Sequence, residues 1–315
     1  MADPSPRRRV VLLGKNALAV GCLEVLLEQD ADVVLVVADP SDEGIDDWQP
    51  SLVRAARDAG IEVRRPISIN SEESIDRIAA LEPDVVLSCQ YAQILGAGIR
   101  GIAAAATLNL HFGPLPRYRG VAPIYWAIHN GESETGVTLH HVDAGIDSGD
   151  IVAARAVPIH AHDTARDLYL RSTDAGIDLL RESWPLVITG RAKRQPQDPA
   201  GSLYYNRHSV DYDRRRLGWH DDAETIANRA RALIFPPLQY PEICVAGEIL
   251  EVGNVSWDRV DHPGRPGQIL DVDDLGFLVA APGGRIRLGD LHSGGRPLDA
   301  DALDRLDVAP GLLLE

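Results

Sequence analysis

Cysteine is scarce in this sequence of 315 residues, and the spacing of the cysteines bears on whether disulfide bonds or a zinc site can form. The three cysteines, Cys22, Cys89 and Cys244, lie far apart, and no pair has Cys-x-x-Cys spacing. An odd number of thiols without ligand spacing disfavours both a disulfide framework and a zinc site. Cys22 falls in an apolar helical pattern, and we interpret it as a core residue.

Long hydrophobic runs are also missing. No stretch approaches the roughly 18–20 uninterrupted apolar residues of a membrane helix. Arg7–Arg9 precede the apolar run Val10–Leu13, as in a signal peptide, but this run is too short and lacks a small-residue cleavage site. We interpret it as a buried first strand after a frayed tail. The sequence therefore predicts a soluble, cytoplasmic protein with no membrane partner.

Positive charge is in deficit, which bears on partners. The chain has 31 Lys and Arg against 47 Asp and Glu, a formal net charge of −16. Binding a nucleic-acid backbone normally requires a face of Lys and Arg. The composition therefore disfavours a nucleic-acid partner, although a local basic patch is compatible with an acidic total.

A dinucleotide fingerprint is the last notable absence. Gly14 ends the first apolar run and Lys15 and Asn16 open a helical pattern, but no Gly-x-Gly-x-x-Gly is present. That motif is needed to bring a backbone close to a pyrophosphate. A dinucleotide cofactor is therefore not predicted.

What is present in the first part of the chain is an alternation of strand and helix patterns. Strands are predicted at Val10–Leu13, Val33–Val37, Ile61–Val63, Val85–Leu87, Thr107–His111 and Val137–Val142. Helices are predicted at Ala17–Glu28, Ser51–Ala59, from a capping box at Asn70 and Glu73 through Leu81, and at Thr164–Glu182. This rhythm predicts a Rossmann-like α/β domain over residues 1–190, with a parallel sheet covered on both faces. Ligands of such sheets bind at the carboxyl ends of the strands.

The pattern changes after residue 190. The polar segment 191–206 contains Pro and Gly and is predicted to be a linker. A helix near Ala223–Leu233 is followed by short strand patterns at Ile243–Val245, Ile249–Val252, Gln268–Val272, Phe277–Ala280 and Arg285–Leu288. Short strands with frequent turns predict a smaller C-terminal domain over residues 207–315, mostly a β-barrel and OB-like.

The most informative stretch is Leu108–Gly120. Side chains alternate along a strand, so Asn109 and His111 point to one side while the intervening leucines point to the apolar side. Two polar groups at the end of a strand are costly to bury unpaired, so they need partners or a ligand. A lone histidine is more often structural, but the pairing with Asn109 favours a catalytic role. The loop Phe112–Gly120 holds two prolines and two glycines and is expected to be stiff.

An acidic turn over 143–150 follows the strand Val137–Val142. Asp147 in this turn is either a turn former or a partner for the polar pair. Asp143, Asp147 and Asp150 are also a candidate calcium set, but the spacing does not fit an EF-hand loop, and Gly145 offers no side chain. No metal site is therefore predicted.

The remaining histidine pairs are given no role in chemistry. His140 and His141 are expected to point to opposite faces of a strand, and His160 and His162 to one face. We interpret all four as surface or packing residues rather than ligands.

An amide, an imidazole and a carboxylate suit attack of an amine on a formyl carbonyl. The Asn109 amide can hold the carbonyl oxygen as it becomes an oxyanion. The His111 imidazole can relay a proton or donate to the same oxygen. The Asp147 carboxylate can orient the imidazole and draw the proton of the amine through water. Neither a metal nor a covalent intermediate is required.

As a whole string, these motifs resemble the formyltransferase family that uses 10-formyltetrahydrofolate. In that family an Asn-x-His pair precedes a Pro-, Arg- and Gly-containing loop, here Gly113–Gly120, and an Asp follows in an Asp-x-Gly-x-Asp-Thr-Gly-Asp turn. Pro114 stands where the family often has Leu, and Ser148 where it often has Thr. The three catalytic positions are intact. The resemblance spans nearly the whole chain and implies 10-formyltetrahydrofolate as formyl donor, with Asn109, His111 and Asp147 as catalytic residues.

The resemblance also implies a folate cleft. Its lining would comprise Ser88, Cys89, Gln90, Tyr91, Ile94, Leu115 and the turn from Asp143 through Gly145 to Asp147. Arg117 and Arg119 are interpreted as facing an anion, unless one pairs with an acid of the turn. Tyr125 and Trp126 either line the acceptor pocket or pack in the core.

The acceptor amine is the least determined part. Family members that formylate initiator methionyl-tRNA carry a basic insertion after the second strand, whereas Asp39–Asp47 holds five acids and no base. Because such a loop would repel phosphates, tRNA is disfavoured. Asn109–Asp150 looks more like members acting on small molecules. A nucleotide-linked amino sugar is preferred, with Tyr204, Tyr205 and Arg207 as candidate contacts, and hydroxyornithine, a siderophore precursor, follows.

Two other classes of function stay open. The same trio occurs in folate enzymes that hydrolyse the formyl group, for which water is the acceptor. A non-catalytic homologue is also conceivable, but it should have lost one of the three residues, and this sequence keeps them all.

Overall fold

The computed structural model describes residues 8–45, 48–274, 276–299, 306 and 308–314. These residues form two compact units. The first comprises the described residues up to Gly120, Gly136–Val157 and Arg171–Tyr205. The second comprises Val121–Thr135, Pro158–Leu170 and the described residues from Asn206 onward. Two stretches within the range 1–190 therefore belong to the second unit.

The helices and strands follow in chain order. Up to residue 141 they are β1 (Arg9–Gly14), α1 (Asn16–Glu28), β2 (Asp32–Ala38), α2 (Leu52–Asp58), β3 (Val63–Arg64), α3 (Glu72–Ala79), β4 (Val85–Cys89), α4 (Ala97–Arg100), β5 (Ala106–His111), β6 (Arg119–Gly120), α5 (Pro123–His129) and β7 (Glu134–His141). Beyond it are β8 (Ile151–Pro158), α6 (Ala165–Ile188), a 3₁₀ turn (Pro199–Gly201), β9 (Tyr204–Tyr205), α7 (Ala223–Leu233), β10 (Glu242–Val245), β11 (Glu248–Asp258), β12 (Ile269–Asp273), β13 (Gly276–Ala281), β14 (Gly284–Ser293) and β15 (Arg296–Pro297).

The sheet of the first unit has the order β3-β2-β1-β4-β5-β7-β8. From β3 to β5 neighbouring strands run parallel, which confirms the predicted α/β class. Strand β7 pairs with β5 in the antiparallel direction. An alternation of strands and helices in a sequence does not reveal this reversal, which is common at the edge of a largely parallel sheet.

The centre of this sheet is apolar throughout because it is covered on both faces. Val10–Leu13 in β1 are fully buried, as are Leu18, Cys22 and Leu26 of α1. An unbroken apolar strand and an amphipathic helix therefore fix the first βαβ unit, and the polar side chains of β5 stand out against this background.

One local prediction in this unit is wrong, and one strand is displaced by one or two residues. The N-cap of α3 is Ser71, whose hydroxyl accepts from the Ser74 N–H, and not Asn70. The Asn70 side-chain amide instead donates a hydrogen bond to the Ile94 carbonyl and accepts one from the Gly96 N–H. The strand predicted at Ile61–Val63 lies at Val63–Arg64.

The second unit contains a six-stranded antiparallel sheet of order β10-β11-β14-β13-β12, with β15 paired to β14. In its core, apolar residues of α7, such as Ile226 and Ala230, pack with sheet residues such as Phe277 and Leu288. The sheet forms a half-barrel, which confirms the predicted smaller, mostly β class. In neither unit do the described residues include a helix with the length and apolar character needed to cross a membrane.

Candidate active site

Polar side chains gather on one face of the β5/β7 pair. The register places Asn109 opposite His140 and His111 opposite Thr138. Because side chains alternate along each strand, all of these lie on the same face. Asn109 and His111 therefore emerge together, and β7 contributes two further polar groups.

His140 fixes the Asn109 amide. The Nδ1 atom of His140 donates to the His141 carbonyl at 2.8 Å, so its Nε2 atom is left to accept. The Asn109 Nδ2 atom lies 3.1 Å from that Nε2 and donates to it. No other hydrogen bond to the Asn109 amide is found within the described ranges. The second amide hydrogen is therefore available to a ligand.

The acidic turn folds back so that Asp147 reaches both histidines. Its Oδ2 atom lies 3.6 Å from His111 Nδ1, and its Oδ1 atom lies 3.5 Å from His140 Nε2. Oδ2 also accepts the Gly120 N–H at 2.9 Å. The backbone of Asp147 is left-handed, with φ of 50°. The structure thus brings Asn109, His111 and Asp147 together, with His140 between the amide and the carboxylate.

The electrostatics of Asp147 favour its ionised form. Burial alone would raise the pKa of this carboxyl, which is 15% exposed. The neighbouring His111 and the Gly120 N–H are among the groups that outweigh burial and hold the pKa well below its usual range. Asp147 is therefore a carboxylate at neutral pH.

His111 is held in the neutral form. Burial lowers the pKa of this histidine, and the opposing attraction of Asp147 does not fully offset the effect. The Nε2 atom lies 2.8 Å from the Tyr118 carbonyl and donates to it, which leaves Nδ1 as the free base facing Asp147. Gly113 makes room for the ring, since a Cβ there would lie 2.7 Å from His111 Nε2.

Thr138 secures the loop that follows β5. Its hydroxyl donates to the Gly113 carbonyl at 2.7 Å and accepts the Leu115 N–H at 3.3 Å. The Arg119 N–H donates to the Leu203 carbonyl at 2.8 Å, and β6 pairs with β9. The loop is therefore tied at both ends, as expected for a stiff wall beside the trio.

Comparison with known protein families identifies the chain. A family model described as formyl transferase matches residues 8–183, and one described as formyl transferase, C-terminal domain, matches residues 209–305. The chain belongs to the formyltransferase family.

Similar proteins carry formyltransferase names of two kinds. The methionyl-tRNA formyltransferase of Geobacter sulfurreducens is 30% identical over 291 residues, covering 91% of this chain and 90% of the relative. A crystal structure of an N-formyltransferase from Helicobacter canadensis, with folinic acid and dTDP-3-aminofucose, has a TM-score of 0.77 at 26% identity and covers 90% of this chain and 99% of that one. WlaRD, a sugar 3N-formyltransferase, has a TM-score of 0.74 at 26% identity over 90% and 97% of the two chains.

In this formyltransferase, the residues assigned to the folate cleft differ in how far their side chains are exposed to solvent. Ile94 is 69% exposed, whereas Leu115 is buried in the loop after β5. The Tyr91 hydroxyl is buried with no hydrogen-bond partner among the described residues, and burial, with a contribution from the Asp39 charge, raises the pKa of Tyr91 to about 12. Ser88 is buried at the end of β4.

Cys89 does not present its side chain to the cleft. Its thiol is fully buried against Cys22 of α1, and burial raises the pKa of that thiol. Its carbonyl accepts the Lys15 N–H at 3.3 Å. The thiol of Cys89 is therefore a core group, as predicted for Cys22.

Asp143 and Gly145 shape the acidic turn. The Asp143 carboxylate accepts from the Gly145 N–H at 3.0 Å and the Ser148 hydroxyl at 2.7 Å. A Cβ at Gly145 would collide with the Ser148 hydroxyl. Both residues therefore maintain the geometry of the turn. Gln90, beside β4, has a positive φ of 55°.

The residues assigned to acceptor binding belong to different structural units. In the first unit, the Arg117 guanidinium lies over the Tyr118 ring at 5.2 Å, and Arg119 bonds the Gln197 side chain rather than an acid. In the second unit, Tyr125 and Trp126 belong to an aromatic cluster, in which Tyr125 stacks on His129 at 5.4 Å. The cluster accounts for the packing of Tyr125 and Trp126.

No group of three or more His, Cys, Asp or Glu side chains placed to hold a metal ion occurs in the part of the chain that the structure describes. Asp150 pairs with Arg194 at 3.3 Å, while Asp143 and Asp147 make separate contacts. The absence of a resident metal stays a prediction.

Sequence reasoning missed the roles of His140 and Thr138. The sequence predicts a surface or packing residue at His140, yet its side chain is 2% exposed and contacts Asn109 and Asp147. Both residues lie opposite the Asn-x-His pair in the antiparallel register. Only knowledge of that register would have brought them into the site.

Proposed function

We propose that this chain transfers the formyl group of 10-formyltetrahydrofolate to the amino group of a small molecule, through Asn109, His111 and Asp147. The observation that carries the proposal is the cluster on the β5/β7 face, in which Asp147 Oδ2 lies 3.6 Å from His111 Nδ1. The cluster combines a free amide hydrogen, a neutral imidazole and an ionised carboxylate. Attack of an amine on a formyl carbonyl needs an oxyanion donor and a proton acceptor, and these groups supply both.

Asn109 supplies the oxyanion donor. One hydrogen of its amide is held by His140, so the other points in a fixed direction. When the amine nitrogen bonds to the formyl carbon, the carbonyl electron pair moves to oxygen and creates the negative charge that this hydrogen stabilises. A donor already oriented before the reaction needs no reorganisation as the charge forms.

His111 acts as the base at Nδ1. The attacking amine becomes positively charged and must lose a proton, which neutral Nδ1 accepts. The imidazolium formed lies beside the Asp147 carboxylate, whose charge stabilises it. As the carbonyl re-forms and the bond to the folate nitrogen breaks, the proton passes to that nitrogen. The Nε2 proton of His111 is already hydrogen-bonded to the Tyr118 carbonyl. This favours a proton relay through Nδ1 over donation of a hydrogen bond from His111 to the oxyanion.

The formyl donor is proposed to lie against Tyr91, Ile94 and Leu115. Ile94 leaves most of its apolar side chain in water, and a ligand would cover it. The buried Tyr91 hydroxyl lacks a partner among the described residues, and a polar ligand group would provide one. These two features fit a flat, partly polar ligand such as a folate.

We propose a nucleotide-linked amino sugar as the acceptor. The two similar sugar N-formyltransferases support this choice, since one was solved with a dTDP-linked amino sugar. Of the three residues considered for nucleotide contact, Tyr204 is 53% exposed and available for stacking. Tyr205 stacks on Tyr118 at 6.0 Å, and Arg207 is exposed in the second unit.

Methionyl-tRNA is the second candidate, because the curated relatives at 30% identity and above carry that name. The structure also shows that few of the described acids of the 39–47 loop present their side chains to solvent. Asp39 and Asp42 are buried, and they accept hydrogen bonds from the hydroxyls of Ser41 and Ser51, respectively. Among the acids of the loop that the structure describes, only Glu43 is exposed; Asp46 and Asp47 lie outside the described residues.

The test is an incubation with 10-formyltetrahydrofolate and a panel of acceptors, read by mass for the formylated product. The panel holds nucleotide-linked amino sugars, hydroxyornithine and charged methionyl-tRNA, with an amine-free sample assayed for formate. The expected result is formylation of an amino sugar by the parent and strongly reduced formylation by Asp147→Asn. Formylation of tRNA or hydroxyornithine alone would overturn the acceptor and leave the donor standing. No product with any amine and no formate would overturn the proposed activity. A cytoplasmic location stays a prediction.

A further inference from the structure

The segment 191–206, expected to be a linker, enters the active-site region through one side chain. The Gln197 amide nitrogen donates to the Asp147 carbonyl at 2.9 Å and to the Gly149 carbonyl at 2.7 Å. Its amide oxygen accepts from Arg119 Nε at 3.1 Å and Arg119 Nη2 at 2.6 Å. One partly buried side chain therefore joins the acidic turn to the strand β6.

These contacts use the full capacity of a primary amide. A glutamine side chain offers two N–H donors and an oxygen with two lone pairs, and each has a partner here. The two carbonyls need donors, and the guanidinium needs an acceptor. Neither a hydrocarbon nor a carboxylate of the same shape meets both needs. The arrangement therefore specifies an amide at this position.

Asp147 depends on support from outside its own turn. Its left-handed backbone, with φ of 50°, is unfavourable for most residues and persists where neighbouring contacts hold it. Its carboxylate is oriented by the Gly120 N–H, and Gly120 directly follows Arg119. Gln197 therefore holds Asp147 from two directions. It bonds the carbonyl of Asp147 directly and steadies, through Arg119, the strand that supplies the N–H.

The backbone around Gln197 is held independently of its side chain. Gln195 and Ile151 exchange two backbone hydrogen bonds, at 2.8 and 2.9 Å. Tyr204 and Tyr205 in β9 pair with β6 in the parallel direction. Removal of the Gln197 amide should therefore leave the segment attached and free the Asp147 turn alone.

We propose that Gln197 is a positioning residue that holds the Asp147 carboxylate in register with His111, so that the segment 191–206 forms part of the catalytic apparatus. The proposal rests on the proposed catalytic role of Asp147. Gln197 touches neither substrate in this scheme and acts through Asp147 alone.

The first experiment measures positioning without reference to activity. Residue-resolved amide hydrogen exchange by NMR reports on the Gly120 N–H, whose acceptor is the Asp147 carboxylate. Gln197→Ala is expected to speed this exchange by about 10-fold or more, because the carboxylate loses its fixed place. The matched control is Gln195→Ala, two residues away, which has an exposed side chain and pairs through its backbone. Unchanged exchange of Gly120 in Gln197→Ala would overturn the proposal.

The second experiment is a double-mutant cycle on kcat/KM for the acceptor found with the panel. Gln197→Ala is expected to lower kcat/KM about 10- to 30-fold, as the loss of its two hydrogen bonds to the acidic turn implies. In an Asp147→Asn background, whose activity is reduced, the same substitution should lower kcat/KM by less than about twofold, because the carboxylate that Gln197 positions is already gone. Losses that multiply would mean a general structural role and overturn the proposal. Full activity of Asp147→Asn would instead refute the role of Asp147, whatever Gln197 does.

Gln197→Glu separates positioning from packing. Glutamate has the same shape and can still pair with Arg119, but it presents oxygen to the two carbonyls of the turn. We expect a loss of kcat/KM at least as large as that of Gln197→Ala, because the two carbonyls lose their donor and face an oxygen instead. Activity close to the parent in Gln197→Glu would show that filling space is enough and would overturn the proposal.

Discussion

Replacing His140 with phenylalanine is expected to slow formyl transfer by about 5- to 150-fold. The perturbation keeps a planar ring in a position that is 2% exposed, so most of the packing is retained. It removes Nε2, the acceptor that holds one hydrogen of the Asn109 amide at 3.1 Å. It also removes the contact between Nε2 and Asp147 Oδ1 at 3.5 Å.

The magnitude follows from the orphaned amide. Leaving a donor without its acceptor costs roughly 1–3 kcal/mol where the donor is buried, and we take this range for Asn109, which is partly buried. About 1.4 kcal/mol corresponds to a tenfold change in rate. In the variant, the Asn109 amide is expected to turn toward another acceptor, which moves its second hydrogen away from the oxyanion and transfers the cost to the reaction. The variant therefore stabilises the transition state less well, and kcat is lowered more than KM is raised.

The assay is steady-state formylation of the acceptor found with the panel, with binding of a non-transferring formylfolate and thermal unfolding measured alongside. His141→Phe is the matched control, because it changes the neighbouring histidine, whose side chain points to the opposite face of β7. We expect the control to stay within about twofold of the parent. A His140→Phe protein that folds and turns over at the parental rate would refute the reasoning. Equal losses of turnover in His140→Phe and His141→Phe would show that the effect is not specific to His140.

Other outcomes follow from the same geometry. Gly149→Ala should lower both the melting temperature and kcat, because its Cβ would collide with the His141 carbonyl oxygen of the backbone; parental values of both would contradict this. Since burial lowers the pKa of His111, kcat should hold as pH falls until it passes below the ordinary histidine range, and then decline as Nδ1 takes up a proton. Asp147→Asn removes the charge that opposes this shift, so its acid limb should move to still lower pH, and a shift to higher pH would contradict the account. Tyr91→Phe should leave the melting temperature unchanged or raised, because the hydroxyl has no partner among the described residues, while KM for the folate rises; an unchanged KM would exclude Tyr91 from the cleft.

The parts of the fold that sequence reasoning predicted depend on local patterns. β1 is an unbroken apolar run and α7 has clear helical spacing, and both lie where they were expected. The Asn109 and His111 pair was likewise visible, since alternation along a strand needs only neighbouring residues.

The failures share a dependence on distant parts of the chain. Asn70 has the chemistry of an N-cap, but its amide bonds Ile94 and Gly96, which follow β4. His140 joins the site only because β7 pairs with β5 in the antiparallel direction. Gln197 lies in a segment whose Pro and Gly content predicts a linker, and its contacts depend on how that segment returns to β6.

The acidic loop shows what a count of charges alone leaves out. Two of its acids, Asp39 and Asp42, are buried. Both accept hydrogen bonds from serines and backbone N–H groups close in sequence, such as those of Ser41 and Gly44. Asp next to Ser and Gly is typical of such turns, so the local pattern did contain the signal.

The measurement that tests the central claim most directly is turnover by Asn109→Ala, compared with its binding of a non-transferring formylfolate. An oxyanion donor acts only in the transition state, so kcat should fall about 10²- to 10³-fold while the dissociation constant of the folate stays within about twofold. Formylated product, quantified by mass, provides kcat, and titration calorimetry provides the dissociation constant. A parental kcat, or equal losses of turnover and folate binding, would contradict the assignment of Asn109 as the group that stabilises the oxyanion.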